Sequence, residues 1–130
     1  MKRDTQQRNS IHKAIANAHR PLSVNEVFEL AQQDVSGLGI ATVYRNIKSL
    51  LSEGQIVQVE LPGQPPHWEM APESHHHHFL CRNCAKIYEI KDCPEDLIRL
   101  LPAGYTLEEH DILLRGVCKT CNKAKAKSNK

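Results

Sequence analysis

Apolar positions in the first half of the chain recur at helical spacing. In "RNSIHKAIANA", Ile11, Ala14, Ile15 and Ala18 fall on one face, and Pro21 ends the segment. "LSVNEVFELAQQ" follows, with Ser23 and Glu26 at the S-x-x-E spacing of a capping box and Leu22 and Val27 placed for a hydrophobic staple. The glycines of "DVSGLG" make a turn, and "IATVYRNIKSLLSEG" predicts a third helix stopped at Gly54. Its buried stripe is read as Ile40, Val43, Ile47, Leu50 and Leu51. The opposite face carries Thr42, Tyr44, Arg45, Lys48 and Ser49, polar groups suited to DNA.

The pattern then changes to strands. "QIVQVEL" alternates Val57, Val59 and Leu61 against Gln58 and Glu60, and "PGQPP" separates it from "HWEMA". A hairpin after a helix-turn-helix reads as a wing. The boundary falls in "APES", giving a winged-helix domain over 1–71, a metal-rich domain over 72–122, and a basic tail over 123–130. The second domain is read as the strands of "HFLCRNCAKIYEI", a short helix "PEDLIRLL" beginning at Pro94, and "YTLEEHDILLRGVC", which alternates Ile112 and Leu114 against Leu113 and Arg115. The fold class is α+β.

A chain of 130 residues buries one modest core or two small ones without disulfide staples. No stretch has the apolar length of a membrane span, and "MKRDTQQR" lacks the apolar run of a signal peptide, so a cytoplasmic protein is expected. The net charge of +2 gives no bulk attraction for nucleic acid, but its distribution is uneven. Residues 61–114 carry four Lys/Arg against nine Asp/Glu and hold most of the histidines, which favours cation binding there. Residues 115–130 carry six cations and no acid. The tail is read as a solvated, partly disordered extension, with phosphate contact as the alternative.

In a reducing compartment five cysteines are not a disulfide framework. Four form two Cys-x-x-Cys pairs, Cys81/Cys84 and Cys118/Cys121, separated by 33 residues, and supply the four thiolates of a closed, structural zinc site; the alternative is free or redox thiols. His75 to His78 lead into the first pair. Alternate residues of a strand share a face, so His76 and His78 point one way and His75 and His77 the other. Glu69 and Glu89 are candidate partners of the first face, His110 and Cys93 of the second. Thiolate with imidazole favours zinc, whereas carboxylate-rich sets suit iron or manganese equally. An engineered tag and exposed loop histidines are the plainer readings of the run. His12, His19 and His67 receive no assignment, beyond His19 and His67 as outer ligands.

The succession of "TQQR", "SVNEVF", "GIATVYRNIKSLLSEGQI", "HHHHFLCRNC" and "HDILLRGVCKTC" resembles the ferric uptake regulator family of bacterial metal-dependent repressors, over nearly the whole chain. The resemblance implies an N-terminal winged helix-turn-helix, a C-terminal α/β dimerisation domain, and a homodimer that binds palindromic operators when metal fills a regulatory site. By position it implies structural zinc on Cys81, Cys84, Cys118 and Cys121. It places a hinge-spanning regulatory site at Glu69, His76, His78 and Glu89, and a second site at His75, His77 and His110. Tyr44 and Arg45 match the base-contacting residues, while Lys48 and Arg8 are expected at phosphates. Three departures stand out. The chain begins almost at "TQQR", so the family's N-terminal helix is expected to be missing or reduced; "HRPLS" stands where many members have a hinge-site histidine; and Cys93 stands where members often have a carboxylate. Read as a replacing thiolate, Cys93 makes the closest resemblance a zinc-uptake-regulator type. Iron- or peroxide-sensing repressors are the alternatives within the family. A zinc enzyme finds no H-E-x-x-H and no H-x-E with P-C-x-x-C, and a metal-bound interaction module is opposed by the polar face of "ATVYRNIKS".

Overall fold

The computed structural model describes residues 2–72 and 75–128; Met1, Glu73, Ser74, Asn129 and Lys130 lie outside the described residues, and with them half of the boundary segment "APES". The chain divides into two compact units, Met1–Glu73 and Ser74–Lys130.

The first unit is built on three helices, α1 (Lys2–Ala18), α2 (Val24–Asp34) and α3 (Ile40–Ser52). α1 ends before Pro21, with His19 in the left-handed region at φ +54°. The capping box at α2 is complete: Ser23 Oγ accepts from the Glu26 amide, and the Glu26 carboxylate accepts from the Ser23 amide. Burial works to raise the Glu26 carboxyl, but the Arg20 guanidinium, 2.5 Å away, and the Ser23 amide outweigh it and hold the group below its usual range. A carboxylate whose folded-state pKa is depressed stabilises the fold above the unfolded carboxylate range, and that stability is lost as pH falls through the folded value. Glu26→Gln keeps the cap and loses the ion pair. It should cost about 0.5–1 kcal/mol in urea melts at neutral pH, and the difference from wild type should vanish in acid; a difference that persists there would remove the ion pair as its source.

Ile11, Ile15, Leu22, Val27, Ala31, Val43, Ile47 and Leu50 form the helical core. Ile40 does not join it, being 42 % exposed. Leu38, two residues before the helix, fills the core at that end instead. Gly54, at φ +75°, turns the chain out of α3, a conformation that costs glycine least.

Strands β2 (Ile56–Val59) and β3 (His67–Met70) make the wing, and β1 (Leu22–Ser23) pairs with the other edge of β3, all antiparallel. The face predicted for β2 is corrected: Ile56 and Val59 are buried while Val57 is half-buried. Ile56 leaves α3 directly into the helical core, and that packing overrides strict alternation in so short a strand.

The second unit is a three-stranded sheet, β5-β4-β6, with β4 (His77–Cys81) central. β5 (Ile87–Ile90) pairs antiparallel to it and β6 (Leu113–Gly116) parallel, the long connection between them holding Cys93 and His110. The helix expected from Pro94 is only a 3-10 turn at Leu97–Leu100. Ile98 and Leu100 are 61 % and 80 % exposed, so no core pulls the segment into a longer helix. The tail expected to be partly disordered is helix α4 (Lys119–Ser128), which grows out of the second Cys-x-x-Cys. Among the described residues no helix is long and apolar enough to cross a membrane.

Candidate metal centres and nucleic-acid face

The four cysteines of the two pairs converge in the second unit. Cys81 Sγ lies 3.8 Å from Cys121 Sγ, and Cys84 Sγ 3.9 Å from Cys118 Sγ. Zinc–sulfur bonds of about 2.3 Å give a tetrahedron with edges of about 3.8 Å, so the thiols already stand at ligand spacing. The amides of Cys84 and Cys118 both donate to Cys81 Sγ at 3.4 Å. These backbone bonds, the Cys84 amide first, draw the Cys81 thiol down to about 6. The Cys121 amide and then the Tyr88 hydroxyl lower Cys118. Asn83 pulls Cys121 down too, but the neighbouring thiols and burial outweigh it and push that group up to about 11. Some thiols ionise readily and the last resists. A bound dication, by ligating all four as thiolates, would resolve that conflict, and with no open position the site would be structural.

At the other end of β4 a second cluster forms from His75, His77, Cys93 and His110. His75 Nε2 lies 3.0 Å from His77 Nε2 and 3.1 Å from His110 Nε2, while Cys93 Sγ lies 3.2 Å from His77 Nε2 and 2.9 Å from His110 Nε2. A tetrahedral zinc needs donor separations of about 3.3–3.6 Å for this set, so the side chains must spread only by tenths of an ångström. Three nitrogens and one sulfur form a donor set that suits zinc. Burial, and then the imidazoles of His75 and His110, hold His77 below the usual histidine range, which keeps the ring in the neutral, ligating form to lower pH.

The Ile112 amide donates to His77 Nδ1 at 3.1 Å, which leaves the proton of the neutral ring on Nε2. Ligation through Nε2 therefore requires the Ile112 bond to yield and Nδ1 to take the proton. The Ile112 amide resonance should move strongly as zinc is added. An unmoved resonance at saturating zinc would strike His77 Nε2 from the ligand set.

His76 and His78 point to the other face of β4, their ring centroids 4.9 Å apart. Backbone register sets Glu89 opposite His78. Glu69 is a buried residue of β3 in the first unit. His19 is exposed, and Arg20 pairs with Glu26.

On α3, Tyr44, Arg45 and Lys48 are exposed and Thr42 half-buried, with Arg45 Nη2 reaching Thr42 Oγ1 at 3.5 Å. Arg8 reaches the C-terminal end of this face: its guanidinium donates to Ser49 Oγ at 3.1 Å and to Glu53 at 2.8 Å, clamping α1 to the end of α3. That clamp was not legible in the sequence, where Arg8 and Glu53 are 45 residues apart.

A model of the ferric uptake regulator family matches residues 2–115. The chain belongs to that family. A ferric uptake regulation protein of Campylobacter jejuni is 32% identical over 129 residues, spanning 95% of this chain and 82% of that protein. Among solved structures, the Helicobacter pylori ferric uptake regulator, described as having three functional metal-binding sites, is 27% identical with a TM-score of 0.66, covering 89% of this chain and 79% of that one. A zinc uptake regulator of M. tuberculosis is 26% identical with a TM-score of 0.51, covering 92% and 95%. The family's fold, an N-terminal DNA-binding domain and a C-terminal dimerisation domain, accounts for the two units. As a family member the chain is a metal-responsive transcription regulator and not an enzyme. Relatives named for ferric uptake, zinc uptake and peroxide response all align, so the metal must be argued from the donor atoms.

Proposed function

We propose that this chain is a zinc-sensing repressor of the cytoplasm, which binds palindromic operator DNA as a homodimer. The observation that carries the choice of metal is Cys93, whose sulfur stands within 3.2 Å of two imidazole nitrogens in a four-donor set. A soft thiolate among imidazoles favours zinc over iron and manganese. The H. pylori relative's three metal-binding sites support a reading with one structural site on the four cysteines and two regulatory ones. The exposed apolar side chains of the second unit, Ile98, Leu100, Tyr105 and Leu114, support a self-associating surface.

Zinc, when bound, supplies a dication that ties separate segments together. His75, just before β4, and His77, its first residue, would be joined to Cys93 and His110 of the long connection. Glu69 would join His76 and His78, with Glu89 beside them, and so couple the DNA-binding unit to the metal-binding one. Holding the two recognition helices of a dimer at a fixed angle lets both meet major grooves of one duplex, a shift of population toward the binding-competent state.

On α3, Arg45 is suited to guanine and Tyr44 to a thymine methyl group, while Thr42, Lys48 and Arg8 would lie at or behind the phosphates. Arg45→Ala should cost about 1–3 kcal/mol of operator affinity, and the loss should be confined to particular base pairs. Zinc-dependent selection from a randomised duplex pool, followed by anisotropy on the selected sequence, reads both. Equal loss on every sequence would make Arg45 a phosphate contact. No zinc-dependent selection by the wild type would defeat the proposed function.

A further inference from the structure

Charge in the second unit is segregated along β4. Residues 89–111, which hold Cys93 and His110 near the strand's start, carry seven carboxylates against two cations. Residues 79–88 and 112–130, around the cysteines at its end, carry eight Lys/Arg and no carboxylate. Arg82, Lys86, Arg115, Lys119 and Lys123 are all exposed there. The fold gathers them: the Arg82 amide donates to the Gly116 carbonyl at 2.9 Å, and α4 starts next to Cys118. Within α4, Lys119 is followed four residues on by Lys123. Like charges four apart on a helix repel, so this pair is a local cost with no acidic neighbour in sequence to relieve it.

Part of the charge has a structural use. Zinc held by four thiolates carries a net charge of about −2, which two cations offset. Five exposed cations exceed that need.

We propose that this basic end is a sequence-independent contact for the phosphate backbone of duplex DNA. The inference rests on the DNA-binding reading above. Flexible lysine stems ending in point charges suit a row of phosphates, and the polyanion is the partner the first unit would bring into the same complex. Tethering raises its effective concentration to about the millimolar range, so individually weak contacts count. The competing occupant is an acidic protein face, including the acidic end of a second copy.

The test is the salt dependence of binding to a labelled mixed-sequence duplex by the full, zinc-loaded chain, with Lys119→Gln/Lys123→Gln and Arg82→Gln/Lys86→Gln as separate variants. Each phosphate contact contributes about 0.9 to the slope of log affinity against log salt, so each pair should lower it by about 2 per protomer, about 4 for the homodimer. Affinity should fall alike on every duplex, with zinc content unchanged. An unchanged slope in both variants overturns the proposal and leaves the surface to an acidic protein. Loss of the chelation-resistant zinc from the variants also overturns it, because the cations would then serve the thiolates. If the wild-type chain binds no duplex at any zinc level, the DNA-binding reading itself fails, a result distinct from either.

Discussion

Cys118→Ser should unfold the second unit and leave the first intact. The first unit has a core of its own, eleven buried apolar residues drawn from three helices, three strands and the turn before α3. The second buries few large apolar side chains, chiefly Leu80 and Ile87, and two of its buried residues are the cysteines Cys81 and Cys118 themselves. A three-stranded sheet with so little apolar burial needs another source of stability. Structural zinc in small domains supplies about 10–16 kcal/mol of apparent free energy, and a fraction of that exceeds the margin of a unit this size. Serine removes a thiolate from a closed set whose sulfurs stand 3.8–3.9 Å apart in the native arrangement. Hydrogen exchange should show lost protection in β4, β5 and β6 with α1–α3 still protected. A variant whose sheet amides stay protected and whose tightly held zinc remains at one per chain would refute the structural site.

Cys93→Asp should change the metal rather than the fold. Cys93 is on the long connection and only half-buried, and its sulfur touches His77 and His110. Aspartate retains a donor of similar reach and exchanges a soft thiolate for a hard oxygen. Zinc affinity of the reversible site should fall by at least the roughly 10–100-fold that losing a mere outer-shell partner costs, while iron or manganese affinity holds or rises. Competition against a chromophoric zinc chelator reads the first, displacement of zinc from the reversible site by iron(II) or manganese reads the second, and loss of the sulfur-to-cobalt absorption band on loading that site with cobalt reads the missing thiolate. Equal zinc affinities in wild type and variant would remove Cys93 from the ligand set and bring iron or peroxide sensing forward.

Much of this was legible in the sequence where short-range chemistry decides the structure. Ser23 and Glu26 make a cap by their spacing alone, and Val43, Ile47 and Leu50 share a face by helical period alone. The alternation of His75 and His77 against His76 and His78 follows from the strand, and the two Cys-x-x-Cys pairs need only a turn that brings each pair together. What escaped depends on distant neighbours. Leu38 displaced Ile40 from the core because the turn folds back beneath α3, and Ile56 broke the alternation of β2 because the helices claim it. Arg8 turned toward Glu53 across 45 residues of chain. The parallel pairing of β6 with β4 brings His110 to His75, and nothing local in "EEHDILL" signals that crossover. Lysines without acidic neighbours suggested disorder for the tail, yet "KTCNKAKAKS" is a helix anchored at its start by Cys118 and Cys121.

The central claim is that reversible zinc gates DNA binding. The most direct measurement takes the chain holding only its chelation-resistant zinc and records retention of host-genome fragments as buffered free zinc is raised. Retention of a few discrete fragments should rise in step with zinc bound beyond the first per chain, and should reverse on chelation. Retention that ignores zinc, or that appears only with iron or manganese, would contradict the claim.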